Sequence, residues 1–364
     1  MSGTSLDGID AVLMRQPDSA SPRMEIAGHH FVPMPQALRL EFLALQQPQD
    51  NELHRGQIAG HALVECYVQA VAGLLQKTGI DPAQITAIGA HGQTIRHQPG
   101  SGYSLQLNAP HVLAEATGIT VISDFRQRDI AAGGQGAPLV PVFHASIFNQ
   151  ARQKGGCIIA NIGGMANLTY LPPPGSEAHV IGFDCGPGNV LMDAWVEAHT
   201  GERFDRDGGF AALGTVNKDL LRDFLAHDFF NAPPPKSCGR EQFNLEWIRE
   251  LATPYNLSPE DVQATLLALT ARTVAHAVLN LCGPATEVLV CGGGAYNPQL
   301  LKALAAELPT MTVDTTARYK LDPNHIEAAA FAWLAQRTLD GLPGNLSAVT
   351  GAAGPRILGN ITPA

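Results

Sequence analysis

Three short segments carry most of the chemistry available to this sequence: Gly3-Thr4-Ser5-Leu6-Asp7-Gly8, Asn161-Ile162-Gly163-Gly164-Met165-Ala166-Asn167 and Cys291-Gly292-Gly293-Gly294-Ala295. Glycine lets backbone N–H groups come close to an anion, and the Thr4 and Ser5 hydroxyls add donors, so such loops suit phosphate. Glycine also simply ends strands, and one loop of this kind would carry only that reading. Three of them, spread over both halves of the chain, favour a split nucleotide site. Neither G-x-x-x-x-G-K-[ST] nor G-x-G-x-x-G occurs, which weakens P-loop and Rossmann arrangements.

Several charged residues stand near these loops. Asp184 follows an expected strand at Val180 to Phe183 and precedes Gly186-Pro187-Gly188. A carboxylate at the end of a strand, facing a helix start, is where a general base stands in an open α/β sheet. The alternative is a loop carboxylate that caps the next helix, and spacing leaves both open. Asp7 and Asp10 could hold Mg²⁺ through water, since Mg²⁺ takes few direct carboxylates beside phosphates; turn and cap roles are the alternatives. Arg126 or Arg128, in Asp124-Phe125-Arg126-Gln127-Arg128-Asp129, could grip a substrate carboxylate in bidentate fashion, or belong to a solvated ion-pair surface. His91 and His97 lack zinc-ligand spacing, and His91 reads as a satisfied loop histidine rather than a sugar contact.

These residues need a scaffold. From Arg55 to Lys77, apolar residues recur at Ile58, Ala62, Cys66, Ala70 and Leu74, a helical stripe closed by Gly79. Ile85 to Ala90 then reads as a buried strand. Short strands are predicted at Leu105 to Leu107 and Thr120 to Ser123 with a helix at Pro110 to Thr117 between them. Cys157 to Ile162 is a strand, and Asn167 to Leu171 pairs with Val180 to Phe183 as a hairpin around Pro172-Pro173-Pro174-Gly175. Ser258 caps a helix running through Leu281, strand Glu287 to Cys291 follows, and another helix starts near Asn297. Strand and helix alternate, so the class is α/β with helix-covered sheets.

The 364 residues correspond to roughly two domains at ~150 residues each. A polar stretch from Asn149 to Gly156 puts the boundary between residues 1–150 and 151–364. A 15% charged fraction with 45% hydrophobic residues argues for a compact body rather than disorder. The net charge of −10 speaks against nucleic-acid or anionic-membrane partners. No run of 18 uninterrupted apolar residues and no signal-peptide pattern occurs, which predicts a cytoplasmic protein. Six cysteines at irregular spacing, with no C-x-x-C pair, fit reduced thiols and no structural metal.

Long motifs carry a resemblance. Met1-Ser2-Gly3-Thr4-Ser5-Leu6-Asp7-Gly8, Gly89-Ala90-His91-Gly92-Gln93-Thr94-Ile95, Asp124-Phe125-Arg126, Gly133-Gly134-Gln135-Gly136-Ala137-Pro138-Leu139-Val140-Pro141, Asn161-Ile162-Gly163-Gly164, Phe183-Asp184-Cys185-Gly186-Pro187-Gly188-Asn189 and Cys291-Gly292-Gly293-Gly294 together resemble the anhydro-N-acetylmuramic acid kinase family, from residue 1 almost to the C-terminus. The resemblance implies an actin-like, sugar-kinase-type fold of two domains around a cleft. It implies ATP-dependent phosphorylation of 1,6-anhydro-N-acetylmuramic acid with hydrolytic opening of the anhydro ring, giving N-acetylmuramic acid 6-phosphate in peptidoglycan recycling. Asp184 matches the catalytic base. Gly3, Thr4, Ser5, Leu6, Asp7, Gly8, Ile9 and Asp10 match the first phosphate-binding segment, joined by Gly163, Gly164, Gly292 and Gly293. Gln93, Asp124, Arg126 and Glu327 fall on the substrate side, Arg126 facing the lactyl carboxylate. The cofactors implied are ATP and Mg²⁺, the partner a small sugar, and a homodimer is compatible.

Two departures from the family pattern set expectations. Relatives carry an apolar strand leading into Met-Ser-Gly-Thr, so the first domain is expected to lack its first strand and to leave backbone groups unpaired. Cys238 stands where threonine is expected, which removes a hydroxyl donor. An ordinary amino-sugar or hexose kinase of the same fold, and a nucleotide-binding relative that no longer catalyses, stay open as alternatives.

Overall fold

In the computed structural model, which describes every residue except 4–5, 16–23, 49, 235 and 237, the chain opens with an antiparallel hairpin of β1 (Gly8–Arg15) and β2 (Glu25–Pro33). Helix α1 (Glu52–Thr78) buries Leu63, Tyr67, Ala70 and Leu74 along the predicted stripe, and Gly79 ends it in the left-handed region at φ 69°, its N–H on the Leu75 carbonyl. The strand predicted at Ile85 to Ala90 shortens to β3 (Ile88–Gly89), because only this stretch finds a ladder partner. Strands β4 (Gln93–Gln98) and β5 (Tyr103–Leu107) form a second hairpin. Helix α2 (Pro110–Thr117) and β6 (Val121–Ser123) follow, with β3 and β6 parallel.

A five-stranded mixed sheet then forms from β7 (Cys157–Ile162), β8 (Met165–Leu171), β9 (Ile181–Pro187), β10 (Glu287–Cys291) and β11 (Thr312–Thr315), in the order β11-β10-β7-β8-β9. The central strands β7 and β10 run parallel and are apolar almost throughout, as strands covered on both faces must be. Helix α3 (Val190–Thr200) leaves β9. Helix α4 (Pro259–Leu281) begins where Ser258 accepts the Asp261 N–H at 3.2 Å, and α5 (Pro298–Glu307) begins where Asn297 accepts that of Leu300. Both α1 and α4 are long and apolar enough to cross a membrane. In α4, Leu266, Leu269, Val274 and Val278 are instead buried in the core beside Val288 and Val290 of β10.

The chain ends with α6 (Ile326–Leu339) and β12 (Asn360–Thr362). It divides into one compact unit of Met1–Ile147 with His325–Ala364 and another of Phe148–Asn324. The predicted second domain, 151–364, differs: its last forty residues belong with the first unit. The reason is packing at a distance, which no local pattern encodes. β12 pairs antiparallel with β6, Ile361 opposite Ile122, and Phe331 of α6 sits 4.5 Å from the His91 ring and 5.4 Å from Phe125.

Within the first unit, β1 bonds β2 along one edge. Along the other edge, Ser2 bridges Ile9 antiparallel, and Met1 and Asp10 exchange hydrogen bonds of 2.8 and 2.9 Å. Beyond that rung lies a cavity of about 460 Å³, lined by β1, by residues 84–90 including β3, by Leu74 of α1 and by Ala332 and Ala335 of α6.

Candidate active site

In the five-stranded sheet, β7 and β10 are parallel neighbours with Asn161 opposite Cys291. The glycine loops leaving their carboxyl ends therefore lie side by side. A side chain added at Gly164 would meet nothing within 4 Å, one at Gly163 only the Met165 carbonyl at 3.7 Å, and one at Gly293 only Asn189 Nδ2 at 3.3 Å. These three present backbone to open space, as close approach by a phosphate requires. Gly292 does not: at φ 76° a Cβ there would lie 2.5 Å from Asn161 Oδ1 and 2.9 Å from the Ile162 carbonyl. Packing of its own chain accounts for this glycine. The start of α3 is spent as well, since the N–H groups of Gly188, Asn189 and Val190 bond the Gly164 and Gly163 carbonyls at 2.8–3.1 Å, fixing the glycine loop in place.

Asp184 lies inside β9 rather than after it. The register between β8 and β9 slips there: Ala166 faces Gly186 while Asn167 faces Asp184, so Cys185 is the extra residue of a β-bulge. A bulge bends the strand and re-aims its side chains, a device common beside active sites. The carboxylate does not cap α3. Its Oδ2 accepts the Cys238 N–H at 3.1 Å, and its own N–H bonds the Lys236 carbonyl at 3.1 Å. Burial pushes its pKa up to about 6 against the pull of that donor. A half-buried carboxylate that ionises near neutrality, held among the described residues by one hydrogen bond, is equipped to accept a proton. Cys238, noted in the sequence only for its lost hydroxyl, thus matters through its backbone. The contact spans 54 residues, and no local pattern announces it.

The first unit carries the other predicted residues. Arg126 donates to His91 Nε2 from Nε and Nη2 at 3.2 and 2.9 Å and to the Gly136 carbonyl at 2.8 Å. Arginine only donates, so His91 Nε2 accepts and its proton sits on Nδ1, bonded to the Gly92 carbonyl at 2.7 Å. His91 is the satisfied loop histidine the sequence predicts, and burial with the nearby Arg126 charge keeps its pKa well below the ordinary value. Burial lowers Arg126 to about 10, opposed by the Glu327 carboxylate, which brings those two predicted residues together. Arg128 is exposed. Gln93 is buried, with its Oε1 unbonded among the described residues. Asp124 accepts from Asn360 at 2.9 Å, and burial raises its pKa.

The first phosphate segment is divided. Thr4 and Ser5 lie outside the described residues. Leu6 and Ile9 are each 1% exposed in the core, so their side chains are unavailable to a ligand. A Cβ at Gly8 would strike Phe31 and the Val32 carbonyl, another glycine explained by packing. Gly3 is partly exposed and Asp7 exposed, while Asp10 Oδ1 bonds His29 at 2.9 Å. Among the described residues no group of three or more His, Cys, Asp or Glu could hold a metal ion.

Comparison with known proteins covers the whole chain. The family model for anhydro-N-acetylmuramic acid kinase matches residues 1–364. Anhydro-N-acetylmuramic acid kinases from Thiobacillus denitrificans, Ralstonia nicotianae and Pseudomonas paraeruginosa are 51%, 50% and 49% identical, covering 100% of this chain and 96%, 96% and 98% of those proteins. Among solved structures, the activator of 2-hydroxyisocaproyl-CoA dehydratase from Clostridium difficile with bound ADPNP aligns at TM-score 0.44 and 15% identity, over 89% of this chain and 91% of that one. A ROK hexokinase from Thermus thermophilus aligns at TM-score 0.34 and 14% identity, over 90% and 100%. With a family model matched from first residue to last and relatives at half identity over nearly their full length, this chain belongs to the anhydro-N-acetylmuramic acid kinase family.

Proposed function

We propose that this sugar kinase phosphorylates 1,6-anhydro-N-acetylmuramic acid and opens its anhydro ring with water, with Asp184 as the base. Water attacks the anomeric carbon and gives its proton to the Asp184 carboxylate. The bond from that carbon to the anhydro oxygen breaks, and the freed oxygen takes the γ-phosphoryl group of ATP. The products are N-acetylmuramic acid 6-phosphate and ADP. The observation that carries this reading is the Asp184 carboxylate, re-aimed by a bulge, held by the Cys238 N–H and raised by burial to about 6.

The open backbone at Gly163, Gly164 and Gly293 fits the phosphates of ATP. When bound, the nucleotide supplies the transferred group, and its magnesium neutralises charge on the phosphates. Asp7, exposed in the predicted phosphate segment, fits a water-mediated hold on that cation. In the first unit Arg126 fits the lactyl carboxylate and Glu327 balances its charge. Six free cysteines and the use of ATP fit a cytoplasmic location.

The test supplies anhydro sugar, ATP and Mg²⁺ and follows ADP and reducing sugar together. One reducing end per ADP is expected. Phosphorylation of a reducing amino sugar with the anhydro sugar left intact identifies an ordinary amino-sugar kinase instead.

A further inference from the structure

The loop that contacts Asp184 is itself tied down by one lysine. The Lys236 ammonium donates to the carbonyls of Phe229 and Phe230 at 2.9 and 3.1 Å and stands 4.7 Å from the centre of the Phe229 ring. The turn it grips is anchored: Phe230 is buried and stacks on Phe243, centroids 5.6 Å apart and planes at 19°. Lys236 contributes its carbonyl to the Asp184 N–H, and two residues later the Cys238 N–H reaches the Asp184 carboxylate. One side chain thus links a fixed aromatic turn to the stretch that brackets Asp184 on main chain and side chain alike.

Charge is not how this lysine acts. Its ammonium bonds two neutral carbonyls, and among the described residues no ion pair includes it. The proton affinity of Asp184 is set by burial and the Cys238 N–H, so an effect of Lys236 on the carboxylate passes through the main chain. A half-buried ammonium spent on two carbonyls costs desolvation, and what it returns is a defined position for Lys236 and, close to it in the chain, Cys238.

We propose that Lys236 is a positioning residue: it holds its own main chain, which bonds the Asp184 N–H, on the Phe229–Phe230 turn, keeps the nearby Cys238 N–H on Asp184, and so orients that carboxylate. The proposal rests on the reading of Asp184 as the base. Cutting the tether with Lys236→Met frees the loop. Asp184 then loses the donor that favours its ionised form, so the acid limb of the kcat–pH profile moves up by about one pH unit. Misplacement of the base lowers kcat, roughly 10²-fold at the upper end, while KM for sugar and ATP stays within a factor of about two.

The experiment measures kcat and KM against pH for the wild type, Lys236→Met, Lys236→Gln, Asp184→Asn and the Lys236→Met/Asp184→Asn double variant. Lys236→Gln keeps one donor for a carbonyl, is expected to lie between the wild type and Lys236→Met, and carries the same test if the Met variant does not fold. The double variant is expected to match Asp184→Asn alone, because a residue acting through the carboxylate loses its effect when the carboxylate is gone. An unmoved acid limb, a further full loss in the double variant, or a raised KM for ATP with unchanged kcat overturns the positioning role; the last identifies a phosphate contact. Full activity in Asp184→Asn instead overturns the base assignment, which separates the two failures.

Discussion

Ionising Asp184 works against the fold that holds it. Burial raises its pKa from the ordinary 3.8 to about 6, so the folded protein keeps this proton more tightly than the unfolded chain does. Its contribution to stability therefore falls as pH rises from about 4 to about 6 and stays unfavourable above that window. Asp184→Asn is expected to raise the melting temperature at pH 7.5, to leave it unchanged near pH 3.5, and to lower turnover ~10²–10⁴-fold. Scanning fluorimetry at both pH values with an ADP assay checks all three; a variant that melts lower at pH 7.5 would mean the carboxylate stabilises the loop. In the wild type, kcat is expected to fall below pH 6 rather than below pH 4. The glycines divide by the same kind of reasoning. Gly164→Val adds bulk in open space, so ATP-analogue binding by calorimetry is expected to weaken with the fold intact. Gly292→Val meets Asn161 and Ile162 at φ 76°, and loss of folding is expected first. The sequence showed these loops as alike, since glycine looks the same whether it makes room for a ligand or for its own chain.

Elements were legible where their burial leaves a local pattern in the residues. The stripe in α1, the Ser258 cap of α4 and the apolar runs of β7 and β10 appear in the structure close to their predicted limits. The hairpin of β1 and β2 was not, because Gly8–Arg15 shows no clean alternation of buried and exposed positions. Asp184 was expected after a strand, and the bulge extends β9 past it; a bulge depends on the neighbouring strand's register, which one strand's residues do not state.

At the scale of the whole molecule, the two units differ in how the chain builds them. Residues 148–324 form theirs as one continuous segment, with the five-stranded sheet and α4 inside it. The other unit is discontinuous and recovers α6 and β12 only after the second is complete. Reading along the sequence does not find this return. The signal for it is the fit of Phe331 against His91 and Phe125 and of Ile361 opposite Ile122, pairs more than two hundred residues apart. The asymmetry has a measurable consequence. A fragment of residues 148–324 contains its whole core and is expected to melt cooperatively on its own. A fragment of residues 1–147 lacks α6, which lines the cavity and covers the His91 and Phe125 rings, and lacks β12, which pairs one edge of β6. It is expected to bind hydrophobic dye and to melt without a cooperative transition. Joining residues 325–364 to it through a short flexible linker restores these contacts and should restore the transition. Circular dichroism melts of the three fragments decide the matter: a cooperative transition in residues 1–147 alone would show that the returning segment decorates a unit already complete, and that α6 and β12 contribute to the site without building the fold.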